Sequence, residues 1–169
     1  MSAVGGAALL PSAGHADSPS SSTAGSLACP VAGESTYEDS YGWARSGGRR
    51  HKGVDMVAGR GTPIVAVADG EATFKSSRLG GRSVWLYTDD GAKFFYAHLE
   101  GWEGESRTVE AGEVIGYLGS SGNAGGPHLH FETHYGGSTA NPYPAVLEAC
   151  TRPACPASVP SAPLVARLR

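Results

Sequence analysis

The chain is predicted to be a mostly β domain built from short antiparallel strands. Three observations carry this. Glycine (25 residues) and proline (11) are abundant in the 169-residue chain, helix-forming runs are scarce, and short apolar runs recur between glycine-containing turns. Residues 64–67 (Ile-Val-Ala-Val) read as a strand ending at Asp69-Gly70, with 71–75 as its hairpin return, because Asp-Gly suits a tight two-residue turn. Residues 83–88, closed by Asp89-Asp90-Gly91, pair with 93–99 as a second hairpin. Residues 114–118 form a strand between Gly112 and Gly119, and a last strand, 128–134, follows the turn at 122–127.

Length sets one domain with one core. The formal net charge of −3 gives no electrostatic footprint for nucleic acid or an anionic membrane surface. No apolar run approaches the ~20 residues that cross a bilayer as a helix. Residues 1–28 differ from the rest. A short apolar run from Val4 to Leu10 precedes Gly14-His15-Ala16, whose small residues resemble a secretory cleavage site, although no Lys or Arg precedes the run. The Ser-rich stretch after it has linker chemistry. Residues 154–169, rich in Pro, Ala and Ser, read as a tail, leaving 29–153 as the folded unit. Cys29, Cys150 and Cys155 bracket that unit. In an exported protein Cys29 pairs with either Cys150 or Cys155; in a reducing compartment all three are free thiols.

Chemistry concentrates in three segments. In His128-Leu129-His130 the two imidazoles share one face of a strand, because side chains alternate with period two. In His51-Lys52-Gly53-Val54-Asp55, the glycines at 47, 48 and 53 disfavour a helix and indicate a loop running into a strand, which still brings His and Asp together. Two imidazoles and a carboxylate make a three-ligand set of the kind catalytic zinc uses. His98, in Tyr96-Ala97-His98-Leu99, has by itself equal claims to a structural and a catalytic role. Glu132 shares the face of His130, either supporting a ligand or facing solvent.

Taken together and in this order, the H-x-x-x-D, A-H-L and H-L-H segments resemble the signature of the lysostaphin-like (M23) zinc metallopeptidases. The flanking Gly61-Thr62-Pro63-Ile64, Ala68-Asp69-Gly70, Gly119-Ser120-Ser121-Gly122-Asn123, Gly126-Pro127 and Asn141-Pro142 stretches are similar to family positions too, so the likeness covers roughly 37–146. The resemblance implies a compact, antiparallel, β-sandwich-like metallopeptidase domain with a substrate groove over one sheet, walled by loops around 76–82, 101–107 and 122–127. It implies one Zn2+ held by His51, Asp55 and His130, with His128 as general base and His98 beside it orienting water or stabilising the transition state. The implied activity is hydrolysis of peptidoglycan peptides, in stem or cross-bridge, by a secreted or wall-associated monomer through metal-activated water. Two other readings stand beside this one. A catalytically silent regulator of wall enzymes should lack one of the five residues, and all five are present. A lipoyl- or biotinyl-type carrier, suggested by 110–116, needs a lysine at a hairpin tip, and Lys52, Lys75 and Lys93 do not provide one. The cluster Arg45, Arg49, Arg50 and Lys52 either steers an anionic wall polymer or is a solvated loop.

Overall fold

A computed structural model describes residues 26–152. Residues 1–25 of the leader-like segment, residue 153 and the tail 154–169, with Cys155, lie outside the described residues. Ten strands and one short α-helix follow in order, with a single 3-10 turn (Ser46–Gly48) between the first two strands: β1 (Thr36–Tyr37), β2 (Val54–Val57), β3 (Pro63–Val65), β4 (Gly70–Ser77), β5 (Gly81–Tyr87), β6 (Lys93–Trp102), β7 (Arg107–Val109), β8 (Val114–Leu118), β9 (Leu129–Tyr135), β10 (Ser138–Ala140) and α1 (Tyr143–Thr151). All pairings are antiparallel. The sheet is open, with the order β1-β2-β9-β6-β5-β4-β7. Strand β10 lies on β9, and a β3–β8 ribbon branches from the far end of β6. This is the antiparallel β architecture expected from the sequence.

Period-two alternation sorts the central strands into two faces. Phe94 and Tyr96 of β6 and Leu129 and Phe131 of β9 enter the core, where Phe131 stacks on Phe94 and meets the Tyr96 ring. Met56 and Val54 of β2, and Ile64, Ile115 and Leu118 of the ribbon, complete that core. The buried Tyr96 hydroxyl is satisfied by the Val67 amide. The intervening residues, Phe95 and Ala97 on β6 and His130 and Glu132 on β9, face a cleft on the opposite side.

One pairing differs from the expectation. Residues 64–67 and 71–75 do not form a hairpin across Asp69-Gly70: β3 pairs with β8, and β4 with β5 and β7. The Ala66 amide and carbonyl bond to Glu113 and Gly112, and the Asp69 carboxylate accepts from the Ala111 amide. Asp69 thus caps a distant turn, and the backbone groups a hairpin would use are already engaged. The expected β5–β6 hairpin forms, closed through Thr88 and Ala92.

The first and last described segments are tied together. Cys29 is bonded to Cys150 on α1, with a sequence separation of 121. The Asn141 side chain accepts from the Tyr143 amide at the helix start and donates to Asp39. Closing a loop of this length constrains the unfolded chain, so Cys29→Ser or Cys150→Ser is expected to cost about 2–5 kcal/mol in equilibrium denaturation. Gly53 is the tightest point of the sheet. A Cβ there would lie 2.1 Å from the Phe131 carbonyl oxygen on β9. Gly53→Ala must push β2 from β9, and a loss of about 1–3 kcal/mol is expected by the same measurement.

Candidate metal centre and cleft

The cleft has a volume of about 750 Å³ and receives all five residues singled out in the sequence: His51, Asp55, His98, His128 and His130. Asp55 on β2 stands directly opposite His130 on β9, and Ala97 on β6 stands opposite His130 on the other side. His51 lies in the loop before β2, as its glycine-rich surroundings indicated. Three donor atoms converge. His51 Nε2 lies 3.0 Å from Asp55 Oδ1 and 2.9 Å from His130 Nδ1, and His130 Nδ1 lies 3.0 Å from Asp55 Oδ1. Two imidazole nitrogens and one carboxylate oxygen this close, partly buried at the floor of an open cleft, fit the donor set of a catalytic zinc site.

The partners behind these atoms decide which nitrogen faces the cleft. His51 Nδ1 is 3.0 Å from the Ser40 carbonyl, to which it donates, leaving Nε2 with its lone pair. His130 is held the other way round: Nε2 donates to Glu132 Oε1 at 2.8 Å, leaving Nδ1 as the available donor atom. Glu132 Oε2 accepts in turn from His134 Nε2 at 2.7 Å. Glu132 does not face solvent: the residue is only 8% exposed and bridges the His130 and His134 imidazoles. His134 belongs to none of the three sequence segments, although its spacing from His130 and Glu132 on a strand places all three on one face.

His98 occupies a bend in β6. Strict alternation after Tyr96 and Ala97 would turn His98 into the core. Instead it adopts φ 67°, the left-handed region, which is costly for a residue with a Cβ. The strand changes phase there, so His98 lines the cleft and Leu99 takes the core position. The segment after β8 holds the bend. Ser121 accepts from His98 Nδ1 at its carbonyl (2.8 Å) and donates its hydroxyl to the Leu99 carbonyl (2.7 Å). Gly122 permits this approach, as a Cβ there would lie 2.3 Å from the Gly81 nitrogen. His128 Nδ1 donates to the Gly126 carbonyl at 2.9 Å, and its Nε2 lies 3.8 Å from Asp55 Oδ1. The His98 and His128 rings are 4.7 Å apart.

Electrostatics follow from this packing. Burial alone would raise the Asp55 pKa, but hydrogen bonds and charge from His130 and His51 outweigh it and hold the carboxyl far below its usual range. His130 shows the reverse balance: burial disfavours its charge, while Asp55 and Glu132 raise its pKa above the ordinary value. Burial pushes His98 down, assisted by His128 and His130 and opposed by the Ser121 carbonyl, so its Nε2 is an acceptor at neutral pH.

The walls differ in part from the expected ones. Ser77, Leu79 and Gly80 line one side, and Asn123 and Gly125 another, as expected for two of the three loops. Residues 101–107 do not contribute. There β6 runs on to Trp102 along β8, and Arg107 is held at Glu113. The third wall is the loop carrying Arg45, Arg49, Arg50 and Lys52. Arg45 pairs with Asp55 Oδ2, on the carboxylate oxygen that does not face the histidines.

Comparison with known proteins agrees with this geometry. Over 100 residues the chain is 42% identical to the DD-carboxypeptidase/endopeptidase Mpg of Neisseria meningitidis, a match spanning 59% of this chain but only 23% of that protein. It is 36% identical over 115 residues to the L-Ala--D-Glu endopeptidase of Bacillus subtilis, covering 60% of this chain and 35% of the relative. The chain therefore spans about a quarter to a third of the length of these relatives. Among solved structures, the catalytic domain of lysostaphin from Staphylococcus simulans superposes with a TM-score of 0.60 at 30% identity, covering 67% of this chain and 92% of that one. The sequence profile of Peptidase family M23 matches residues 49–142. That span begins beside His51 and includes Asp55, His98, His128 and His130, and the chain belongs to Peptidase family M23.

Proposed function

We propose that this chain is a zinc-dependent endopeptidase that hydrolyses peptide bonds in bacterial cell-wall peptidoglycan, with residues 29–153 as its peptidase unit. The observation that carries the reading is the meeting of His51 Nε2, Asp55 Oδ1 and His130 Nδ1 within 3.0 Å, beside two further histidines, in an open cleft. These three atoms would hold the ion. When bound, zinc supplies a Lewis acid that polarises a peptide carbonyl and acidifies water.

The remaining steps belong to the chain. With Nδ1 of both His98 and His128 donating to backbone carbonyls, each ring presents a bare Nε2 to the cleft. Two acceptors 4.7 Å apart by ring centroid can orient a water through both of its hydrogens. His128 takes the proton as the water attacks and delivers it to the leaving amine; His98 stays neutral and holds the orientation. Glu132 fixes the His130 ring and increases its basicity, and His134 holds Glu132 in place. A wall substrate places the chain outside the cytoplasm, where the Cys29–Cys150 bond is at home. All the residues of the cleft come from one copy of the chain, so the proposed chemistry needs no second subunit.

Purified peptidoglycan should release new amino groups with the zinc-loaded protein, none after chelation, and again on restoring zinc. His128→Ala should lower turnover by about 10²–10⁴-fold with zinc still bound. His51→Ala should lose the metal itself. Zinc bound at full occupancy without amino-group release from any wall preparation would overturn the reading. A separate titration addresses the support behind the site. Glu132→Gln should weaken zinc binding about 10–100-fold in a chelator competition. Zinc affinity should also fall as pH is lowered: His130 carries a raised pKa in the metal-free protein, so the ion must displace a proton that becomes harder to remove at lower pH.

A further inference from the structure

The cleft is electrostatically one-sided. Its lining cations, Arg45, Arg49, Arg50 and Lys52, all come from one loop, while the residues that line the two other walls, Ser77, Leu79, Gly80, Asn123 and Gly125, are uncharged. Arg45 is committed to Asp55. Arg49, Arg50 and Lys52 meet no carboxylate among the described residues. They are nevertheless held in position. Arg49 donates from Nε to the Ser46 carbonyl and from Nη2 to the Ser46 hydroxyl, and Arg50 donates from Nη1 to the Gly42 carbonyl. The loop is closed on itself by the Arg45 amide on the Arg49 carbonyl and by a bridge between Ala44 and Arg50. These bonds use only part of each guanidinium, whose five N–H groups leave donors for an oxyanion. The chain as a whole has a formal net charge of −3, so this positive wall runs against the protein's own balance.

We propose that Arg49, Arg50 and Lys52 form a carboxylate-recognition subsite, and that the cleft prefers an anionic peptide over an uncharged oligoglycine chain. The preferred peptide carries a free carboxylate within one or two residues of the bond cut. This rests on the cleft being a peptidase site. The one-or-two-residue distance follows from the chain: Arg50 and Lys52 are the immediate neighbours of His51, and consecutive Cα atoms in a peptide are about 3.8 Å apart. An oligoglycine segment would leave three hydrated cations without a partner, whereas a carboxylate gains charge-assisted hydrogen bonds from a preorganised wall.

The test compares two ligands on the zinc-loaded protein by calorimetric titration at low salt. One is a wall stem peptide with the α-carboxylate of its D-glutamyl residue free; the other is the same peptide with that carboxylate amidated. The free acid should bind about five- to tenfold more tightly, as a few exposed ion pairs allow. The advantage should shrink as salt is raised. In R49Q/R50Q/K52Q the two peptides should bind alike. Arg60→Gln, at a cation outside the cleft paired with Glu100, should keep the discrimination. Equal or undetectable binding of both peptides to the wild type, or loss of discrimination in the Arg60 variant as well, overturns the inference. Amino-group release from peptidoglycan is read separately. Release without discrimination sinks this proposal alone; discrimination without release keeps the carboxylate subsite but sinks the proposed function, and with it the placement of that carboxylate beside a cut bond.

Discussion

The site depends on the register of β2 against β9. Asp55 faces His130 across that pair, flanked by Val54 opposite Phe131 and Met56 opposite Leu129. Side chains alternate across a strand, so a slip of one residue would bring Val54 or Met56 to the cleft and drive the carboxylate into the core. Val54, Met56, Leu129 and Phe131 are fully buried, and each such side chain is worth about 1.5–3 kcal/mol of transfer free energy. The same apolar packing that holds the sheet together therefore sets which polar atoms meet in the cleft. Gly53 makes the pairing possible by letting the chain pass against the Phe131 carbonyl.

A second constraint acts on the rings themselves. Each of the four cleft histidines has one nitrogen engaged by an oxygen behind it: Ser40, Ser121 and Gly126 carbonyls for His51, His98 and His128, and the Glu132 carboxylate for His130. An imidazole bonded in this way has lost its freedom to flip or to change tautomer, and its other nitrogen points into the cleft with a known character. Most of these partners are backbone carbonyls on loops that the sheet brings close. The bend at His98 belongs to the same scheme, since the strained backbone is held by the Ser121 segment and turns one more nitrogen toward the cleft.

The charge distribution separates the two halves of the cleft. Its floor combines paired acids and imidazoles that compensate one another, while one wall holds cations without acidic partners among the described residues. Compensated charges suit a centre that binds an ion and moves protons. Uncompensated, anchored cations suit recognition of something brought from outside. Arg45 joins the two regions through its contact with Asp55.

Much of this was legible in the residue order. Glycine-punctuated apolar runs carry the antiparallel class, because turn chemistry and period-two patterning are local. Spacing alone places His128 and His130 on one strand face and disfavours a helix around His51; it took the resemblance of the three segments, in their order, to a family signature to single out the five residues together. Other features waited for the tertiary structure. Asp69-Gly70 has the composition of a hairpin, yet its backbone partners come from the distant turn near Gly112. Alternation would bury His98, and only the docking of Ser121 against β6 turns it outward. Glu132 could support a ligand or face solvent until its two imidazole neighbours were placed. Cys29 had two possible partners, and the position of α1 brings Cys150 to it. In each case the deciding contact joins segments far apart in the chain, and no local rule of propensity or spacing contains it.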